Sequence, residues 1–158
     1  MYKMQEESKR YLKEAARHLQ IADHMTYVTF PIVNEKKLII KIFEEIFKSI
    51  QNSINSAIYY EFENKNLILN TNQEKNINNF MENIAKTYDF TEKEINKIKN
   101  ILEIEKKHRK SSMEFIKKEK VVIMLDSLKI QALTIEDIKD YIQASKNIFL
   151  KISNRINS

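Results

Sequence analysis

The sequence predicts a mainly α-helical protein: a single up-down bundle of four to five helices with a β-hairpin, at about residues 120–133, packed on it. Three observations lead there. The 158 residues include no glycine and one proline, so the positive-φ turns of hairpin-rich sheets have no ready supply. Apolar residues recur at i, i+3, i+4 and i+7 over several long stretches, while only one short stretch alternates. Apolar residues make up 42% of the chain and charged residues 31%, a balance that folds around a core. No linker or internal repeat divides residues 1–158, which are read as one domain.

A first helix is expected over about Gln5–Val28, with Leu12, Ala15, Ala16, Leu19, Ala22, Asp23 and Thr26 on one arc and Arg10, Lys13 and Arg17 opposite. Pro31 should end it, because proline lacks the amide proton and its ring clashes with the preceding turn. Asn34 then suits the N-cap of a second helix, Glu35–Phe62, which carries the strongest periodicity: Ile39, Ile42, Phe43, Ile46, Phe47, Ile50, Ile54, Ala57 and Ile58. Seven asparagines between Asn64 and Asn79 favour turns, so Asn64–Thr71 reads as a loop and Asn72–Tyr88 as a weaker helix. Thr91 and Glu94 form a capping box that opens a fourth helix running to about His108, with Ile95, Ile98, Ile101, Leu102 and Glu105 on one side. VVIMLDSLKIQAL reads as a hairpin turning at Asp126-Ser127; pairing Leu125 with Leu128 puts Val121, Ile123, Ile130 and Ala132 on the face laid against the helices. Thr134 caps a last helix, Ile135 to about Ile152.

Composition also excludes functions. Without cysteine there is no disulfide framework, Cys-ligated zinc or thiol nucleophile. Without glycine there is no phosphate-cradling glycine-rich loop. The longest apolar runs, such as Leu38–Ile40, fall far short of a membrane span, and the charged N-terminus, MYKMQEESKRYLKEAAR, is unlike a signal peptide. A cytoplasmic protein with no membrane partner is the expectation.

Charge is the most informative functional feature. The fifteen residues Lys106–Lys120, KKHRKSSMEFIKKEK, contain seven Lys or Arg and two Glu; against chain totals of 27 and 22, the remaining 143 residues carry 20 of each sign. All of the net charge of +5 therefore lies in one segment. Clustered cations are the footprint of phosphate binding, so Lys106, Lys107, His108, Arg109, Lys110, Lys117, Lys118 and Lys120 are the candidate nucleic-acid-binding residues. Arg109 suits bidentate phosphate contacts, and His108 and Phe115 suit base stacking. RNA or an acidic protein is the expected partner. Part of the cluster has a structural reason too: cations favour a helix C-terminus, and lysines guard sheet edges.

Other constellations are weaker. Arg17 and His24, seven residues apart on one helix face, are an alternative catalytic pair for metal-independent RNA cleavage, with His moving a proton and Arg stabilising the phosphorane; a solvated face explains them more simply. His18 is expected to bond a neighbouring element rather than a ligand. Glu105-Lys-Lys-His108 has a di-iron spacing, but such sites need two copies of it and two further carboxylates, and with one copy present no metal and no cofactor is expected. If the second helix stays regular, Glu61 falls on its apolar side and needs a partner, for which His18 or a lysine would serve; fraying of the helix end explains the position equally well.

The order of YLKEAARHLQIADHM, EEIFKSIQNSINSAIYYEFE and TIEDIKDYIQASKNIFLKI resembles the HEPN (higher eukaryotes and prokaryotes nucleotide-binding) superfamily, and small archaeal helical proteins of similar layout. Many HEPN proteins are RNases that act as dimers through an Arg-x4–6-His motif in the later part of the bundle. In that slot stands KKHRKSSMEF, where no histidine follows Arg109. RHLQIADH meets the spacing, but on the first helix. The resemblance therefore implies a non-catalytic, binding-type relative. Apart from it stands a third reading, a protein-interaction or oligomerisation module of toxin–antitoxin type, and a homodimer is among the expected partners.

Overall fold

Small residues at heptad spacing decide how the bundle starts. α1 (Tyr2–His24) carries Ser8, Ala15 and Ala22, and α3 (Leu38–Glu63) carries Ser49 and Ser56, so the two helices lie close together and antiparallel. The Ser8 hydroxyl donates to the Ser56 carbonyl at 2.8 Å, Ser56 donates back to the Ser8 carbonyl at 2.7 Å, and Ser49 donates to the Ala15 carbonyl at 2.9 Å. Satisfied buried hydroxyls fix one register, since a slip would strand them. The structure, a computed structural model, describes residues 2–109, 113–117, 120–124 and 130–157.

The helix does not stop before Pro31. From Met25 to Thr29 it widens into a π-helix, with the Phe30 amide bonding to the Met25 carbonyl. A one-turn helix α2 (Phe30–Val33) follows, with Pro31 in its first turn. Asn34 likewise corrects its expected role. It is the left-handed terminator of α2, at φ 52° and ψ 38°, with its amide on the Phe30 carbonyl at 2.7 Å. In a chain without glycine, Asn34, Lys65 and Asp89 take the left-handed positions among the described residues.

α3 is the central helix, as its periodicity indicates: Ile39, Ile42, Phe43, Ile46, Ile50, Ile54, Ala57 and Ile58 are all buried. It contacts α1, α4 (Gln73–Asn83), α5 (Glu92–Arg109) and α6 (Ile135–Ile156). The Asn72 side chain caps α4, which ends at Asn83; a 3-10 turn over Ala85–Tyr88 replaces the last turn expected of it. Thr91 and Glu94 form the expected capping box on α5, and Thr134 with Asp137 forms one on α6.

The expected hairpin is present, extended by one strand. β1 (Met113–Lys117), β2 (Lys120–Met124) and β3 (Ile130–Leu133) form an antiparallel sheet in that order, so part of the basic segment is itself an edge strand. The β2–β3 register is shifted by one from expectation: Val121 pairs with Leu133 and Ile123 with Gln131. The shift places Leu133, rather than Ala132, in the core beside Val121 and Ile123, which buries the larger side chain. The turn at Asp126-Ser127 lies outside the described residues.

Glu61 closes the far end of the bundle. It is almost wholly buried, and its partner is Arg155 rather than His18 or a lysine: the guanidinium Nε donates at 3.2 Å, the Tyr88 hydroxyl at 2.8 Å and the Asn66 amide at 2.6 Å. Burial, then the bond to Glu61, pushes the Tyr88 hydroxyl far above its ordinary value. His18 instead bonds across to α3, with Nδ1 at 2.5 Å from the Glu45 carboxylate, as expected of a boundary histidine.

Candidate functional site

The end of α5 brings its cations to the mouth of a groove between α3, α4 and α5. At about 100° per residue, Lys99, Leu102, Glu103, Lys106 and Arg109 fall within one arc of roughly 120° on α5. They face Phe47 and Gln51 of α3 and Gln73, Glu74, Ile77 and Asn78 of α4 across a groove of about 430 Å³. Phe47, Ile77 and Leu102 give it an apolar floor, and Gln51, Gln73 and Asn78 give it amide donors and acceptors. Such a mixture of apolar walls and a few convergent polar groups is the usual make-up of a ligand site.

Acidic residues from other elements partly neutralise the cluster. Lys106 pairs with Glu74 at the start of α4, and that carboxylate holds the ammonium above its ordinary value. His108 turns inward, with Nε2 3.2 Å from Glu44 on α3, which ties the helix end to the bundle and takes the ring away from an outward stacking position. Arg109 lies 3.6 Å from Glu105, one turn back, and its side chain stays 65% exposed. Glu105 is buried, as its position on the apolar face of α5 implies. Burial raises its carboxyl above the ordinary value despite the opposing charges of His108 and Arg109, and its Oε2 has no hydrogen-bond partner among the described residues.

Lys99 and Lys107 have no acidic partner within ion-pair distance among the described residues, and Lys99 and Lys120 are exposed. Lys117 sits in β1, opposite Lys120 in the β1–β2 pairing, so those two backbone positions meet at the hairpin end of the strands. Phe115 lies in the same strand, paired with Val122. Lys110 and Lys118 lie outside the described residues. Lys99, Gln51 and Asn78 were not among the sequence-based candidates. The spacing of Lys99 to Lys106 and Arg109 signalled the shared face, but the α3 and α4 contributions depend on packing.

The structure does not bring Arg17 and His24 together. Arg17 closes on Glu14, three residues earlier, at 2.9 Å, and contacts the His18 ring at 3.2 Å. Arg10 similarly pairs with Glu7. His24 is exposed, roughly 10 Å farther along the helix axis. Among the described residues, no three His, Cys, Asp or Glu side chains are grouped to hold a metal ion, and no helix is long and apolar enough to cross a membrane. No family model, no curated protein and no solved structure matches this chain.

Proposed function

We propose that the protein is a non-catalytic binding module that presents residues 106–120, together with the groove beside them, to RNA or another polyanion. The observation that carries this reading is the convergence of Lys99, Lys106 and Arg109 on one groove, the last two belonging to the segment that holds all of the chain's net charge. Phosphates would exchange with the Glu74 and Glu105 carboxylates for these cations, and the exposed Arg109 guanidinium suits a bidentate phosphate contact. The HEPN-like part of the reading is supported by sequence pattern, a long helix pair followed by shorter helices. The unmatched Arg-x4–6-His motif and the engagement of Arg17 by Glu14 favour binding over cleavage.

Binding of single-stranded RNA to two charge-matched triple variants tests the proposal. Lys106→Glu, Lys107→Glu and Arg109→Glu together should abolish binding. Lys13→Glu, Lys86→Glu and Lys93→Glu, all at exposed positions elsewhere, should leave most of it. Equal losses in both would make the effect one of net charge and sink the assignment of a site.

A further inference from the structure

Phosphate binding at the end of α5 would displace the carboxylates of Glu74 and Glu105, and the structure places those two very differently. Glu74, the partner of Lys106, has a side chain that is 55% exposed, so water receives it once the ammonium turns to a phosphate. Glu105, which faces Arg109, has a side chain only 11% exposed. Its Oε1 lies 3.6 Å from the guanidinium Nε, and its Oε2 is buried without a hydrogen-bond partner among the described residues. A carboxylate kept this far from water depends on nearby cations to hold its charge.

Four charged groups bear on Glu105: His108 and Arg109 of α5 and Lys48 of α3 favour its ionised form, while Glu44 of α3 opposes it. Of the three cations, His108 is itself engaged by Glu44, and Lys48 is exposed to solvent. Burial outweighs their support and holds the carboxyl above its ordinary value even with Arg109 in place. A phosphate seated on Arg109 would neutralise one supporting cation and bring a negative charge beside the carboxylate. Both changes favour the neutral carboxyl.

We infer that Glu105 is a positioning residue for Arg109, and that it couples polyanion binding there to the uptake of a proton from solvent by its own carboxyl. The inference rests on the polyanion reading and deepens it. Ionised, Glu105 draws the guanidinium back along α5 and competes with phosphate for it. Protonated, it stops competing, and Arg109 can turn outward to a bidentate phosphate contact. Linkage makes the two events reciprocal: the proton favours the phosphate by the same factor as the phosphate favours the proton. Affinity therefore rises as pH falls through the Glu105 titration, and is level where free and bound protein are both ionised or both protonated.

Fluorescence anisotropy of a labelled oligouridylate, whose bases take up no proton in the carboxylate range, tests this from neutral pH downward at constant salt. Wild-type affinity should rise roughly fivefold, at the low end of coupling between sites because the Arg109 side chain is 65% exposed. Glu105→Gln should bind tighter than wild type at neutral pH by about the same factor, with an unchanged circular dichroism spectrum, and should lose that rise. His108 gains charge in the same direction as pH falls, so the pair is also compared in a His108→Gln background, where the difference should persist. In Arg109→Gln, adding Glu105→Gln should leave the residual affinity unchanged. Calorimetry in two buffers of different protonation enthalpy, midway through the rise, should show proton uptake by the wild type and none by Glu105→Gln. A pH response undiminished in Glu105→Gln, no tighter binding by that variant at neutral pH, or a difference that vanishes with His108→Gln would overturn the inference and leave the polyanion reading standing. No binding of the oligouridylate at any pH would remove both.

Discussion

Removing the Arg155 guanidinium should expose how much the fold depends on a buried carboxylate being satisfied. In Arg155→Ala, Glu61 keeps its donors Tyr88 and Asn66 but loses the opposing charge, while its side chain remains only 2% exposed. Stranding one member of a fully buried pair costs about 3–5 kcal/mol. The Arg155 side chain is 41% exposed, however, so water can enter where it stood, and about 2–3 kcal/mol is the better figure. The guanidinium also lies 4.8 Å from the Tyr88 ring centre, a contact that adds roughly 0.5–1 kcal/mol. The sum, about 3 kcal/mol, should lower Tm by roughly 6–12 °C in a chain of this size. Urea denaturation followed by circular dichroism measures it, with an unchanged m value showing that the unfolding transition is the same. Glu61→Gln in the Arg155→Ala background should recover part of the loss, because the uncompensated charge is then gone. A loss below about 0.5 kcal/mol, or strict additivity of the two substitutions, would refute the claim that they form one coupled unit.

Three further outcomes follow from the same geometry. Ala15→Leu forces a large side chain into the closest part of the α1–α3 contact and should destabilise by about 1–3 kcal/mol in chemical denaturation; no change would mean that the helices can separate freely there. Burial pushes the Glu94 carboxyl up, but the Lys151 ammonium and the Thr91 amide outweigh this and hold it below its ordinary value. Its contribution is then complete above the unfolded-state pKa and is lost as pH falls through the folded one, so Lys151→Met should lower Tm more at neutral pH than in strong acid, where only the bond from Lys151 to the Asp89 carbonyl is lost. Glu105 has the opposite sign. Its raised folded pKa means that stability falls as pH rises through it, so Glu105→Gln should raise Tm at neutral pH, with the gain vanishing in acid. Parallel melts of the wild type and this variant across pH decide it.

Most of the architecture was legible in the sequence, because helix formation leaves local marks. The α3 stripe and the Thr91–Glu94 box are short-range patterns, and both appear as read. Where the sequence misled, a longer-range cause decided. Pro31 was compatible with continuing helix once the backbone widened to a π turn, and Asn34 stopped a helix where its own preferences equally suited starting one. The β2–β3 register turned on whether Leu133 or Ala132 would meet the core, which depends on the helices beneath. At the candidate site, the cluster of cations was plain from composition. Its partial neutralisation was not, because Glu44 and Glu74 are distant in sequence and reach the end of α5 only through packing. The partner of Glu61 was missed for the same reason: Arg155 is 94 residues away.

Phosphate binding at the α5 end is the most direct test of the proposed function. Fluorescence anisotropy of a labelled single-stranded RNA, titrated at several salt concentrations, gives the slope of log K against log salt. That slope is about −0.7 for each phosphate contact on a single strand. Wild-type protein should give a slope of roughly −2 or steeper, and Lys99→Glu with Lys106→Glu and Arg109→Glu should flatten it by the equivalent of two to three contacts. RNA binding with no salt dependence, or a slope unchanged in the triple variant, would contradict the assignment of this site.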